Sequence, residues 1–322
     1  MAELNMTAAE AGALASAIRK MTESVILGAG ESVRLLTAAL LCGGHVLIED
    51  LPGTGKTTLV KAAAAAAGCD FHRIQCTPDL MPADITGYEM FSQKADGSRE
   101  MVFRRGPVFT NILLADEINR MAPRSQSGLL ECMAEHQVTA GGVRYALPEP
   151  FLVIATQNPI EMQGTFPLPE AQLDRFFMRI QMGQPSRALE AEILRGRQLA
   201  DPLDAVQQVA DPQQILAAQQ AVRAVTVSDA VQEYLLDIAE ATRRHSAVRY
   251  GLSTRGLLAL RRAAQGYAVT EGRDHVLPDD VKAVCTAVCA HRLHVTGGML
   301  SDREAAEQVI ASVLESVPVR KS

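Results

Sequence analysis

The segment HVLIEDLPGTGKTTLVKAAAAAA, residues 45–67, constrains this chain more than any other. A short β-prone run, a glycine loop and an alanine-rich helix former follow one another in that order. Gly53 and Gly55 let backbone N–H groups curl around an anion where a helix begins. Lys56 supplies a cation for β and γ phosphates, and the Thr57 hydroxyl supplies a ligand for Mg²⁺. Thr54 and Thr58 complete the set of nucleotide-binding candidates. The strand before and the helix after are the context that a P-loop requires, so ATP and Mg²⁺ are the expected cofactors. One position departs from the full GxxxxGK[ST] pattern: Asp50 stands where a glycine is usual, and Asp tolerates turn geometry better than most residues.

A second segment supplies the complementary chemistry. ILLADEINR reads as a buried strand ending in Asp116 and Glu117. Asp116 can hold Mg²⁺, and Glu117 beside it is placed to polarise an attacking water. An Asp-Glu pair after a strand is commonplace alone, but behind a P-loop the pair implies hydrolysis. P-loop kinases and GTPases usually lack the second acid.

The rest of the chain divides into two halves. Up to about residue 180, the runs HVLIED, FHRIQC, ILLADE, FLVIAT and FMRIQM alternate with helical segments, the pattern of buried parallel strands in βαβ units. After Pro185 the segments SRALEAEILRGRQL, DPQQILAAQQAVRAV, SDAVQEYLLDIAEATRR, STRGLLALRRAAQGYAV and PDDVKAVCTAVCAHRL carry apolar residues at helical spacing. Most of them open at Ser or Asp, as capped helices do. Asp211 with Pro212 and Ser253 before Thr254 are such starts. The expected architecture is an α/β nucleotide-binding domain over residues 1–185 and a smaller all-α lid over 186–322, joined near Pro185. With 48% hydrophobic residues, each half has material for a core.

Charge and cysteines narrow the setting. Lys and Arg number 31 against 37 Asp and Glu, a net charge of -6, so no global basic field exists to hold nucleic acid or an anionic membrane. The first residues, with Glu3 and Glu10, do not read as a signal peptide. The most apolar stretch, Leu35 to Leu51, is too broken by polar residues to span a bilayer. Six scattered cysteines fit a reducing cytoplasm. Cys285 and Cys289, one helical turn apart near His291 and His294, have a spacing that could suggest metal, but they lie among Val and Ala and read as core.

Over nearly its whole length the chain resembles AAA+ ATPases, and within them the MoxR family. The carriers are LLADEINRMAPRSQSGLLECMAEHQVT and FLVIATQNPIEMQGTFPLPEAQLDRFFM. The resemblance implies a three-layer AAA+ sandwich with a helical lid. It makes Asn158 the sensor 1 residue, the lesser reading by position being a turn Asn before Pro159. Arg175 resembles the arginine finger that reaches the γ-phosphate of the neighbouring subunit. Arg255, in GLSTRGLLAL, resembles sensor 2 on the lid, pointing back to the phosphates, with Thr254 where the family more often has Pro. Arg120 and Arg124 have no assigned role.

Two further segments, GYEMFSQKADGSREMVFRR with its turn signal Asp96-Gly97 and QVTAGGVRYAL with Gly141-Gly142, resemble hairpins that face the central pore in related rings. Ordinary hairpins packed on the sheet edge are the other reading. The function implied is a homohexameric, chaperone-like ATPase acting on a protein client, often with a partner bearing a von Willebrand factor A domain. A nucleic-acid motor and a metal-chelatase motor subunit remain alternatives, the first opposed by the acidic balance.

Overall fold

All five apolar runs become strands, and they form one parallel sheet in the order Phe71–Gln75, Ile112–Asp116, Leu152–Gln157, Val46–Glu49, Met178–Ile180. The computed structural model describes residues 5–94, 98–159, 164–184, 186–196, 201–296 and 302–319. Successive side chains in these strands point to opposite faces. Val46, Ile48, Ile112, Leu114, Leu152 and Ile154 join one apolar cluster, while Leu47, Leu113, Ala115, Val153 and Ala155 join another. The first face is covered by the helix Lys56–Ala66, together with Ala8–Glu23 and Gly30–Cys42. The second lies under Pro123–Glu135, which contributes Leu129, Leu130, Cys132 and Met133. The result is the α/β sandwich that the alternation predicted, with the three layers that the resemblance implied. Burying one Leu side chain contributes about 1.5–3 kcal/mol, so Leu113 and Leu114 clamp the strand that ends in Asp116 between both layers.

The expected helices of the second half form as Arg187–Gly196, Pro212–Ala224, Asp229–Arg244, Thr254–Thr270 and Pro278–Cys289. Asp211, Ser228 and Ser253 each accept a first-turn N–H through the side chain, which satisfies donors that a helix start leaves open. A helix at Asp302–Ser316 and a small antiparallel pairing of Val248–Tyr250 with His294–Val295 were not foreseen. The expected join at Pro185 and the turn at Asp96-Gly97 lie outside the described residues.

The two halves do not carry separate cores. One cluster runs from the sheet through Ala11, Ile18, Leu36 and Ala39 into Leu260, Ala264, Val284 and Ile310 of the helical half. The contact is close enough to need glycine: a Cβ at Gly266 would collide with Cys42 Sγ, and one at Gly12 would stand 2.7 Å from the Gly272 Cα. All six cysteines are buried thiols, Cys285 and Cys289 in this shared core. No described helix is long and apolar enough to cross a membrane.

His45, at the entry to the central strand, is fully engaged. The Val153 N–H donates to its Nδ1 at 3.0 Å, so the proton sits on Nε2, which donates to the Met133 carbonyl at 3.0 Å. Burial, with no carboxylate to help, lowers its pKa from 6.5 to about 4. Burial also pushes His291 well below the usual range. A depressed histidine contributes stability that is present above pH 6.5 and is lost as pH falls toward 4. For His45 the loss is at most about 3 kcal/mol. We expect the urea midpoint to decline over this window, and more shallowly in His45→Gln, which has no ring to protonate. Equal slopes in the two proteins would reject the neutral tether.

Candidate functional site

The loop after the central strand is shaped by backbone geometry. Gly53 at φ +82° and Gly55 at φ +88° occupy the left-handed region, and the helix Lys56–Ala66 starts directly from Gly55. Lys56 Nζ lies inside the loop and donates to the carbonyls of Asp50 and Leu51, both at 2.7 Å. Burial lowers its pKa, opposed by the nearby Asp50, Asp116 and Glu117. The odd residue of the motif also has a place. Asp50 accepts from the N–H groups of Leu51, Met182 and Gly183 at 2.8, 2.8 and 2.9 Å. Its carboxylate faces the end of the last strand and ties the loop to it.

Asp116 and Glu117 stand at the end of the neighbouring strand but one. Asp116 Oδ1 accepts from the Thr156 hydroxyl at 2.5 Å, and that hydroxyl accepts from the Glu117 N–H at 2.9 Å. Thr156 thereby fixes Glu117 in a left-handed conformation, φ +60°, which costs a non-glycine residue about 1–3 kcal/mol. The Glu117 carboxylate takes a bond from Gln75 at 3.0 Å and pairs with Arg120 at 3.1 Å. Arg73 donates to Asp116 Oδ2 through Nε at 3.1 Å and Nη2 at 2.7 Å.

These groups line one cavity of about 640 Å³. Gly53, Thr54, Gly55, Lys56, Thr57, Thr58, Asp116, Glu117, Thr156 and Asn158 supply its polar side, and Ile26, Met182 and Ile193 are among its apolar lining. The size suits a small organic ligand, with the apolar part fit for a base and the polar part for phosphates. Among the described residues no group of three or more His, Cys, Asp or Glu could hold a metal by itself. A divalent cation here would be shared between Thr57, Asp116, water and a phosphate, the pattern Mg²⁺ favours.

The other two expected residues lie elsewhere. Arg175 and Arg255 do not line this cavity. Arg175 is exposed and donates to the Leu130 carbonyl at 2.6 Å. Arg255 pairs with Asp174 Oδ2 at 3.3 Å, and buried Arg292 holds Asp174 Oδ1 at 2.8 Å. Topology is the cause. Asp174 and Arg175 precede the strand Met178–Ile180, next to His45, whose carbonyl accepts from the Phe177 N–H at 2.7 Å. In a parallel sheet that is the amino-terminal edge, whereas the glycine loop follows its strand at the carboxyl edge. Roughly 3.3 Å per residue across four residues separates the two edges, beyond the reach of an arginine side chain. Arg255, expected to point back to the phosphates, thus lies away from the cavity that its own chain forms.

The hairpins Gly87–Gln93 with Arg99–Arg105 and Gln137–Ala140 with Val143–Ala146 form in register. Gly141 and Gly142 both take positive φ, as a two-residue hairpin turn needs. Phe103 stacks on Tyr145 at 4.4 Å and joins the hairpins to each other. The first hairpin carries Phe91 67% and Met101 54% accessible as cross-strand neighbours, while Val138 of the second is buried in the cluster beneath Pro123–Glu135.

Sequence reasoning missed Arg73, Gln75, Thr156, Asp174 and Arg292. None carried a signal of its own: in FHRIQC, His72, Arg73 and Gln75 are alike polar.

The comparisons agree with this geometry. The family described as ATPase family associated with various cellular activities (AAA) matches residues 45–178, and the AAA lid domain matches residues 240–313. The chain is 40% identical to Chaperone MoxR1 of Mycobacterium tuberculosis, over 96% of this chain and 83% of that protein. It is 32% identical to Protein MoxR of Paracoccus denitrificans, over 92% of this chain and 93% of that one. A crystal structure from Cytophaga hutchinsonii, of a protein assigned as an ATPase, superposes with a TM-score of 0.86 at 36% identity, covering 97% of this chain and 96% of that one.

Proposed function

Since the chain belongs to the MoxR family of AAA+ ATPases, we propose that it hydrolyses ATP with Mg²⁺ between the subunits of a homohexameric ring and uses the cycle to remodel or activate a protein client. One observation carries the ring: the nucleotide cavity lies at the carboxyl edge of the sheet, and Arg175 with Arg255 at the opposite edge. A chain built this way cannot complete its own site, and a neighbour can.

Within the cavity, Gly53, Thr54, Gly55 and Thr58 cradle the phosphates through the loop and the start of the helix, with Lys56 as counter-ion. Thr57 and Asp116 would hold Mg²⁺, which when bound would offset phosphate charge. Glu117 accepts a proton from the attacking water and Asn158 orients it. Arg175 and Arg255 offer cations to the site of the next subunit, and Asp174, clamped by Arg292, sets their spacing. Exposed Phe91 and Met101 offer an apolar grip for a client, consistent with the pore-facing reading of the hairpins. The chain works in the cytoplasm, as six unpaired cysteines fit. A partner with a von Willebrand factor A domain is part of this proposal. The nucleotide-binding domain spans 1–185 and the lid 186–322.

Phosphate release by the purified protein tests the chemistry. It should fall to background in EDTA and return with Mg²⁺, because Thr57 and Asp116 act only through the ion. Equal rates with and without the chelator would reject the site. Light scattering with Mg²⁺ and ATP should give the mass of six chains, and a persistent monomer would reject the ring.

A further inference from the structure

The proposed metal ligand already has a resident cation. Arg73 lies on the edge strand Phe71–Gln75 and reaches diagonally across to Asp116, whose register partner is Gln75. Its two bonds to Oδ2 leave Thr156 holding Oδ1, so both carboxylate oxygens are occupied by the protein itself. The guanidinium also donates from Nη2 to Gln75 Oε1 at 2.8 Å, and the Gln75 amide nitrogen donates to Glu117 at 3.0 Å. With its oxygen taken by Arg73, the amide can only present its NH₂ to Glu117. Arg73 therefore touches both catalytic acids, one directly and one through Gln75.

We propose that Arg73 is a positioning residue that serves as counter-ion to Asp116 and competes with the divalent cation for it. The inference rests on the reading of Asp116 as a metal ligand. Arg73 neutralises a buried carboxylate that stands beside Glu117, whose own ion-pair partner is Arg120. It gives up Oδ2 when the site is loaded, and its swing away removes the hydrogen bond that fixes the Gln75 amide. The Gln75 amide is then free to turn, which loosens its bond to Glu117, while Arg120 still pairs with that carboxylate. Arg73 can move because its side chain is 45% accessible, whereas Asp116 at 11% is held in place by Thr156.

The test measures metal, not turnover. Binding of a fluorescent ADP analogue is titrated at a series of free Mg²⁺ concentrations for the parent, Arg73→Gln, Arg73→Lys and Asp116→Asn. Removing the competing charge should lower the half-saturating Mg²⁺ of Arg73→Gln by about 3- to 10-fold, the range for a partly exposed ion pair in competition. Arg73→Lys keeps a cation but loses the fork to Asp116 and Gln75, so its half-saturating Mg²⁺ should fall between those of the parent and Arg73→Gln. Thermal melts of the variants confirm that the comparison is between folded proteins, and Arg73→Met replaces Arg73→Gln if the latter does not fold. An unchanged or raised half-saturating Mg²⁺ in the neutral variant overturns the competition while leaving the metal site intact. If Mg²⁺ does not tighten nucleotide binding in the parent, or if Asp116→Asn responds like the parent, the metal-site reading itself fails and the inference with it.

Discussion

Glu117→Gln is expected to slow ATP turnover by about 100- to 1,000-fold while leaving ATP bound, since general-base assistance of this kind contributes on that scale. The substitution keeps the shape of the side chain and an oxygen for the bond from Gln75, and removes the proton acceptor together with the charge that pairs with Arg120. Lys56→Ala should do the opposite. It removes a cation that lies within the loop, leaving the Asp50 and Leu51 carbonyls without their donor, so nucleotide binding itself should fall by at least about 100-fold. Filter binding with labelled ATP and phosphate release on the same preparations separate the two effects. Normal turnover by Glu117→Gln would end the assignment of Glu117. The trapped ATP state of that variant is also the form in which a client should be held, so affinity capture with it is the direct route to the client.

The second large effect concerns the neighbour. Arg175→Ala leaves the cavity of its own chain whole and removes the cation offered to the next. Lys56→Ala does the reverse. Each alone should be nearly inactive, because loss of an arginine finger costs about 10³-fold or more. When the two are mixed, about a quarter of interfaces pair a good cavity with a good finger if subunits assort at random. Activity should reappear up to that fraction, and lower if hydrolysis has to pass around an unbroken ring. Sizing must show that mixed rings form. If they do and the rate stays at the sum of the two variants, Arg175 is not the finger, and Arg120 and Arg124 are the next to replace.

What could be read from the residues follows from how local the chemistry is. Binding phosphate requires consecutive residues in one loop, so Gly53 to Thr58 announced themselves, and Asp116 with Glu117 did so at the end of one strand. The alternation of apolar runs with helical segments likewise gave the sandwich. Residues that act across strands were silent. Thr156 is an ordinary strand Thr until the sheet places it against Asp116 and Glu117. Arg73 and Gln75 are two polar residues on an edge strand until the same sheet sets Asp116 beside them. Arg255 shows a different limit. Its motif marked it as relevant to phosphate, but only strand direction decides whose phosphate it can reach. The apolar stripes of Ala8–Glu23 and Gly30–Cys42 told that one face of each is covered, and could not tell that part of the cover comes from Thr254–Thr270.

That last contact bears on anyone who would exchange parts among these proteins. A chimera that grafts the carboxyl-terminal lid of a relative onto this chain at Pro185 would set foreign side chains against Cys42, Ala38 and Gly12, where there is no room for an added methyl group. Ala8–Glu23 and Gly30–Cys42 pack on the sheet and on the lid at once, so a foreign lid has to be refitted to both helices rather than joined at a single point.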